Sequence, residues 1–217
     1  MIDETINKLK IIQENLKNIS NTNDPDIICV SKTFPLSKLE PLIKFGHCHF
    51  GENKVQEAEK KWSQILQTNK NLKIHMVGKL QSNKAKKAIN IFSFIHSLDN
   101  PKLADVCRKS EEELNKKISY FIQVNIGNES QKSGVLMKDV KSFLKYCSVE
   151  NKLNIIGLMV LPPNDTNTEK YFEDISKLNS ELGLKDLSMG MSADYKIAAK
   201  HKSTYLRIGS AILGQRT

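Results

Sequence analysis

Short apolar runs alternate along the chain with longer amphipathic stretches. An apolar run bounded by turn residues is typical of a buried strand, and apolar residues three or four positions apart are typical of a helix. The predicted strands lie at 27–33, 49–53, 72–78, 94–98, 118–126, 153–161, 187–191 and 205–208. Helical patterns separate these strands, and a further helical pattern at 2–19 precedes the first one.

The predicted strands are almost continuously apolar, as parallel strands buried on both faces must be. Eight of them alternating with helices predict a single domain over residues 1–217, an α/β (β/α)₈ TIM barrel with an extra N-terminal helix. The alternative is an open doubly wound sheet. No G-x-G-x-x-G motif follows the first strand, which argues against a dinucleotide-binding version of that sheet.

The composition is that of a soluble globular protein, with 39% hydrophobic and 26% charged residues in 217 positions. No apolar run approaches the ~20 residues of a membrane span, and the N-terminus has no signal-peptide pattern, so we expect a cytoplasmic protein. The four cysteines are widely spaced and are expected to be reduced thiols. No metal is expected at His47-Cys48-His49, because neighbouring residues on a strand point to opposite faces.

The chain is basic, with a net charge of +9 and a pI of about 9.3. Nucleic-acid binding is the function that such a charge first suggests. Only three of the 33 basic residues are arginine, however, and arginine is the side chain that nucleic-acid-binding proteins favour. Nucleic acid is therefore not an expected partner, and steep salt-dependent binding to RNA or DNA would revive this alternative.

Lys32 stands out in the first predicted strand. It has the same parity as Ile28 and Val30, so on an extended strand it points to the same face. Burial of a lysine amine favours its neutral, nucleophilic form, which can attack a carbonyl. The alternative is a lysine at a strand end whose stem is buried and whose amine reaches solvent. In a barrel, this strand end belongs to the face where ligands bind.

Other strand ends of the predicted barrel carry polar residues at the same face. Asn53 ends the second strand, Met191 and Ser192 end the seventh, and Gly209 and Ser210 follow the eighth. Ser192 is predicted to begin a short helix, where backbone N–H groups attract phosphate. Each feature alone is consistent with an ordinary cap or turn, but at neighbouring strand ends they together favour a phosphate site.

Arg207 is the second charged residue inside an apolar run, in a chain that nearly always uses lysine. A phosphate site, an inward lysine and an inward arginine together suggest pyridoxal 5'-phosphate. Lys32 would form the Schiff base, and Arg207 would face the pyridine nitrogen and keep it unprotonated.

These motifs resemble the YggS/PROSC family of pyridoxal phosphate homeostasis proteins, which are single-domain relatives of the alanine racemase barrel. The matching segments follow the family's order over almost the whole chain, at 29–35, 50–53, 75–84, 129–134, 157–159, 187–194 and 207–216. The chain differs from the family's usual pattern at Lys196, commonly acidic, and at Lys202, commonly glycine.

The resemblance implies a role for each candidate residue. Lys32 would hold the cofactor covalently and Asn53 would line its pocket. Arg207 would approach the pyridine nitrogen. The phosphate would be held at the ends of strands seven and eight by Ser192, Gly209 and Ser210, and Met191 would also belong to the cofactor site.

The resemblance also implies a binding protein without substantial turnover. Racemisation needs two bases, and in the related racemases the second base is a tyrosine from a C-terminal domain for which a chain ending at Thr217 has no room. We expect a monomer that stores, delivers or buffers the cofactor, with apo-enzymes as candidate recipients. The alternative is a weak pyridoxal-phosphate-dependent amino-acid racemase.

Overall fold

A computed structural model describes residues 3–19, 25–129 and 131–215. Within these residues, eight parallel strands form the central sheet: β1 Asp26–Val30, β2 His49–Glu52, β3 Lys73–Met76, β4 Phe94–Leu98, β5 Ser119–Asn125, β6 Asn154–Val160, β7 Asp186–Ser188 and β8 Tyr205–Ile208. All eight predicted strands are therefore present. Ile2 of the predicted first helix and Arg216 of the matching segment 207–216 lie outside the described residues.

The sheet closes on itself. β1 pairs with β2 on one side and with β8 on the other, with Ile28 opposite Arg207, and β4 pairs with β5. Every strand of the ring thus has a parallel neighbour on either side. The predicted (β/α)₈ barrel is confirmed, and the open doubly wound sheet is wrong. A two-residue strand, Val135–Leu136, adds to β5 outside the ring.

Helices connect the strands and surround the barrel. In the described part of the chain they are α1 Glu4–Lys17, α2 Leu36–Lys44, α3 Val55–Trp62, α4 Ile65–Thr68, α5 Ala85–Ile91, α6 Pro101–Leu114, α7 Val140–Lys145, α8 Thr168–Glu181, α9 Tyr195–Lys200 and α10 Ser210–Leu213. Short 3₁₀ turns at Ser82–Lys84 and Met137–Asp139 precede α5 and α7, and a π-helical turn, Tyr146–Glu150, continues α7.

The predicted N-terminal helix is confirmed as α1. Asp3 caps it, with Oδ1 accepting a hydrogen bond of 2.8 Å from the Thr5 N–H. Its buried face carries Leu9, Ile12 and Leu16 at helical spacing. Burial of this face, more than the cap, holds the helix against the barrel because isolated helices of this length are marginal in water.

Two buried regions share the strands. The outer layer is the apolar packing between the strands and the helices, and it includes Phe50, Trp62, Leu39, Leu103 and Phe172, each with 0% of its surface exposed. The barrel interior is the space inside the ring. Its lower half, away from the C-terminal ends of the strands, is aromatic and polar. The rings of His49, His75, His96 and Tyr205 contact one another there.

Several predicted boundaries differ from the structure, and two of the differences lie beside candidate site residues. The first strand ends at Val30 instead of residue 33, because the chain turns there and Thr33 adopts φ +70°. The helix predicted from Ser192 begins at Tyr195, because the Asp194 side chain accepts the Met191 N–H at 2.6 Å and forms a turn before the helix. Both differences fall at the C-terminal ends of strands, where loop geometry and not strand pattern decides the path.

Surface features bear on the remaining predictions. Lysines at 79, 84, 86 and 87 form a basic segment, in which Lys86 is paired with Glu113 at 2.8 Å and Lys87 with Glu59 at 3.3 Å. Lys202 adopts φ +66°, a conformation that glycine adopts without strain. Among the described residues, no helix has both the length and the apolar character needed to cross a membrane. The single-domain boundaries, the monomer and the absence of a nucleic-acid partner stay predictions.

Candidate functional site

A pocket of about 690 Å³ opens at the C-terminal ends of the barrel strands. Apolar walls are provided by Val30, Phe34, Val77 and Leu161. All seven residues singled out from the sequence line this one pocket: Lys32, Asn53, Met191, Ser192, Arg207, Gly209 and Ser210. Closure of the ring explains this, because it brings the ends of β1, β2, β7 and β8 to the same mouth.

Lys32 lies two residues beyond β1 and is half-buried. The turn that carries it is held on both sides: the Phe34 N–H donates to the Ser31 carbonyl at 3.1 Å, and the Thr33 N–H donates to the Glu57 carboxylate. The Lys61 amine also donates to the Ser31 carbonyl, at 2.8 Å. Lys32 is thus presented to the pocket from a fixed turn, not from the strand as predicted.

Asn53 follows β2 directly and is half-buried at the pocket wall. The neighbouring loop passes so close that a Cβ atom at Gly78 would lie 2.4 Å from the Asn53 carbonyl oxygen. Only glycine allows this approach of the two backbones. The hydrogen bond from the Val77 N–H to the Glu52 carbonyl, 2.9 Å, continues the β2–β3 pairing up to this point.

Arg207 is 5% exposed and points into the barrel from β8. Its Nη1 donates to Ser188 Oγ at 2.6 Å, and its Nη2 donates to the Val160 carbonyl at 2.8 Å. Burial lowers the pKa of the guanidinium to about 10, and the nearby Asp194 carboxylate opposes this shift. Because this value lies well above 7, the side chain is a buried cation at neutral pH.

The ends of β7 and β8 are tied together where the sequence predicts a phosphate site. Ser192 Oγ accepts a hydrogen bond of 3.2 Å from the Ala211 N–H, in the first turn of α10. A hydroxyl oxygen that accepts a hydrogen bond still has its own hydrogen to donate. Gly209 approaches β1 so closely that a Cβ there would lie 3.3 Å from the Val30 carbonyl oxygen. Met191, 40% exposed, forms the rim.

The sequence did not reveal the network behind Arg207. His49, His75, His96 and Ser188 form a series of hydrogen bonds across the barrel interior, with successive distances of 2.9, 2.9 and 2.9 Å. Desolvation by burial lowers the pKa of both His75 and His96 well below its usual value. Each histidine carries the same signal as Lys32, a polar residue inside an apolar strand, but this signal does not indicate that the three side chains meet.

Of the His47-Cys48-His49 segment, only His49 lies in β2, and the two histidines have different partners. His49 enters the interior series through Nδ1, whereas His47 Nε2 donates to the His49 carbonyl at 2.9 Å. Burial lowers the pKa of His47 to about 4. In the described part of the chain, no group of three or more histidine, cysteine or acidic side chains has an arrangement that could hold a metal ion.

The fold and the site together define a class: a (β/α)₈ barrel with a lysine- and arginine-lined pocket at its C-terminal mouth. A family model described as "Alanine racemase, N-terminal domain" matches residues 8–217. The chain belongs to this family, and the resemblance predicted from its motifs is confirmed.

Comparison with individual proteins shows which members of the family this chain is similar to. The pyridoxal phosphate homeostasis protein of Aquifex aeolicus is 34% identical over 203 residues, which is 89% of this chain and 88% of that protein. The PipY protein of Synechococcus elongatus PCC7942, solved with PLP bound, has a TM-score of 0.86 and 31% identity, and the match covers 97% of this chain and 100% of PipY.

Alanine racemase itself shares the fold. The Clostridium difficile 630 enzyme is 15% identical with a TM-score of 0.72, and the match covers 97% of this chain and 57% of the racemase. At this identity the likeness concerns the barrel alone.

Proposed function

We propose that this protein binds pyridoxal 5'-phosphate through Lys32 and serves in its intracellular homeostasis by storing, delivering or buffering it. The observation that carries the proposal is the meeting of all seven predicted residues in one pocket. The names of the relatives, pyridoxal phosphate homeostasis proteins, and the PLP bound to PipY support the same ligand.

The residues present fit this cofactor. A volume of about 690 Å³ lies within the range of small-molecule pockets, roughly 300–1,000 Å³. When bound, the cofactor supplies an aldehyde that condenses with an amine, and a conjugated ring that takes up electrons. Lys32 is the amine in the pocket, and Ser192, Ser210 and the backbone at Gly209 would hold the phosphate.

Arg207 would face the pyridine nitrogen. Two of its N–H groups donate to Ser188 and Val160, and a guanidinium has five. The remaining N–H groups suit an acceptor nitrogen, since arginine donates and never accepts. An arginine partner would keep that nitrogen unprotonated, which makes the ring a weaker electron sink than an acidic partner would.

The lining residues also support binding without substantial turnover. Racemisation needs one base on each face of the substrate. Among the described residues that line the pocket, Lys32 carries the one amine, and the others are apolar, amide, hydroxyl or guanidinium groups. The rim of the pocket is open to solvent at Met191, which is 40% exposed. The bound cofactor would pass to an apo-enzyme through this opening.

Borohydride trapping tests the proposal. Protein incubated with pyridoxal phosphate should turn yellow, and borohydride should fix the mass of the cofactor on the peptide that contains Lys32. The variant Lys32→Ala should lose the absorption band and the added mass. Lys38→Ala, on the exposed face of nearby α2, is the matched control and should keep both.

Two results would reject it: labelling spread over surface lysines with no preference for Lys32, or a yellow Lys32→Ala variant that keeps the band. The absence of substantial turnover has a separate measurement, an amino-acid racemisation assay on the yellow protein. Racemisation at an enzymatic rate that disappears in Lys32→Ala would establish the weak racemase instead.

A further inference from the structure

A continuous series of hydrogen bonds runs through the barrel interior to Arg207. His49 Nδ1 lies 2.9 Å from His75 Nε2, and His75 Nδ1 lies 2.9 Å from His96 Nε2. His96 Nδ1 is 2.9 Å from Ser188 Oγ, the atom that accepts the 2.6 Å hydrogen bond from Arg207. We refer to His49, His75, His96 and Ser188 as the imidazole relay.

Three members of the relay are deeply buried, and the two buried imidazoles are held by stacking. His75, His96 and Ser188 each have 0% of their surface exposed. His75 stacks on Phe94 with ring centroids 4.4 Å apart, and His96 stacks on Phe121 with centroids 4.3 Å apart. The stacking restricts rotation of the imidazoles, so their nitrogens remain aligned with the neighbouring groups.

A relay of neutral imidazoles must have a direction. In a neutral imidazole, one nitrogen donates and the other accepts. Each ring uses both nitrogens in the series, so the tautomer of one ring determines that of the next. The whole relay therefore exists in one of two states, with its hydrogens pointing away from Arg207 or toward it.

The groups at the two ends favour the first state. Arg207 can only donate, so Ser188 Oγ accepts from it and can pass its own hydrogen to His96 Nδ1. At the other end, His49 Nε2 lies 3.8 Å from the Asp26 carboxylate, which attracts a hydrogen on that nitrogen. In the opposite state, Ser188 would accept twice, and a lone pair of His49 would face the carboxylate.

Other charged and titratable groups near His49 are Lys73 on β3 and Tyr205 on β8, in addition to Asp26 on β1. Asp26 and Lys73 act on its charge in opposite senses. The carboxylate is on the same side as Nε2, so it determines which nitrogen of His49 carries the hydrogen.

We propose that the imidazole relay positions Arg207 for the pyridine nitrogen of the cofactor, so that a change at His49 alters cofactor binding at the opposite end of the relay. Among the described residues that line the pocket, no member of the relay appears. Its members are positioning residues, acting through Ser188 on Arg207. Hydrogen bonds in such a series polarise one another in a low-dielectric interior, which is how the effect would travel. This inference rests on the proposed function.

The direction of the relay can be measured without cofactor. The chain contains five histidines, all within the described residues, and ¹⁵N chemical shifts distinguish protonated from unprotonated ring nitrogens. We expect His75 and His96 to be neutral, with the hydrogen on Nε2. A hydrogen on Nδ1 of His96 in the wild-type protein would overturn the proposed direction.

The coupling to the pocket is measured with pyridoxal phosphate. His49→Leu removes the acceptor for His75, whereas His49→Asn keeps an oxygen near the position of Nδ1. We expect His49→Leu to shift the absorption band of the bound cofactor and to raise its dissociation constant roughly two- to thirtyfold. His49→Asn should restore both values toward wild type. His201→Leu, a histidine on the outside next to Glu169, is the control and should change neither.

A His49→Leu protein that folds, by circular dichroism, and binds the cofactor as the wild type does would overturn the coupling. If that variant does not fold, Asp26→Asn takes its place. It removes the carboxylate from the end of the relay, and the same overturning result applies. A wild-type protein that binds no pyridoxal phosphate would reject the proposed function and the coupling together, while the histidine tautomers would still report the direction of the relay.

Discussion

The outer layer and the barrel interior are formed by opposite faces of the same strands, because successive residues of a strand alternate between its two sides. On β2, Phe50 packs outward against Trp62 with ring centroids 5.0 Å apart, while its neighbour His49 enters the imidazole relay. On β8, Leu206 faces outward, and Tyr205 and Arg207 face inward. On these two strands the inward face carries His49, Tyr205 and Arg207, whereas Phe50 and Leu206 face the helices.

The outer layer and the barrel interior contribute differently to the stability of the fold. Apolar burial in the outer layer stabilises the fold by about 25 cal/mol per Å² removed from water. Barrel interiors of this type are usually filled by branched apolar side chains, yet here the lower half holds imidazoles and the upper half a guanidinium. Buried polar groups stabilise little once desolvation is counted. The interior near the pocket therefore contributes less to the free energy of unfolding than the outer layer does.

The largest effect on stability is expected in the outer layer. Trp62→Ala removes a side chain that is 0% exposed, along with its 3.0 Å hydrogen bond to the Glu52 carboxylate. The free energy of unfolding should fall by about 3–5 kcal/mol, as measured by urea denaturation. Val149→Ala, at a position 62% exposed, should change it by no more than about 0.5 kcal/mol. An equal decrease in the free energy of unfolding in the two variants would contradict the view that apolar burial in the outer layer stabilises the fold.

An intermediate effect is expected from the histidines of the interior, and it depends on pH. The pKa values of His75 and His96 are lowered in the folded protein, mainly by desolvation. Below pH ~6.5 the unfolded chain binds protons that the folded protein does not, so stability is lost as the pH falls. Each such histidine should contribute a slope of about 1.4 kcal/mol per pH unit below that point.

The measurement is the free energy of unfolding at several pH values between 7 and about 4.5. His75→Gln should show a shallower decline than the wild type, by about 1.4 kcal/mol per pH unit. An unchanged slope in His75→Gln would mean that this imidazole already takes up a proton in the folded state.

The smallest effect on stability is expected at Arg207, although its effect on the cofactor should be large. Arg207→Met removes a buried charge together with its hydrogen bonds to Ser188 and Val160, and these contributions oppose one another. The free energy of unfolding should change by less than about 2 kcal/mol. The dissociation constant for pyridoxal phosphate should rise roughly ten- to a hundredfold, as expected for a hydrogen bond from a charged donor.

Arg108→Met is the matched control for this variant. Arg108 forms an exposed ion pair with Glu112 at 3.0 Å, one helical turn away on α6, and such pairs contribute little. Its loss should leave both stability and cofactor binding nearly unchanged. If Arg207→Met proved as damaging to stability as Trp62→Ala, the distinction between the two regions would fail.

Much of the architecture could be predicted because it depends on local pattern. The alternation of apolar runs with amphipathic stretches identified the eight strands and the N-terminal helix. Lys32 and Arg207 could be found for the same reason, since a charged residue within an apolar run is conspicuous. The end of the first strand and the start of the helix after the seventh strand were misplaced, because loop contacts such as the hydrogen bond from the Met191 N–H to Asp194 decide them.

The imidazole relay could not be found in this way. Its members come from four different strands, and neighbours in the series are separated by 26, 21 and 92 positions in the chain. Each histidine alone resembles an isolated polar residue in a strand. Only the register of the closed ring brings their nitrogens within hydrogen-bonding distance.

By itself the sequence determined the class of fold, the strands and helices, and the charged residues that interrupt them, because these follow from the periodicity of apolar positions along the chain. The tertiary structure alone decided that Lys32, Arg207 and the ends of β7 and β8 share one pocket, and that a series of imidazoles stands behind the arginine. The physical reason is ring closure. Pairing of β1 with β8 closes the ring, and the register between neighbouring strands determines which distant side chains meet.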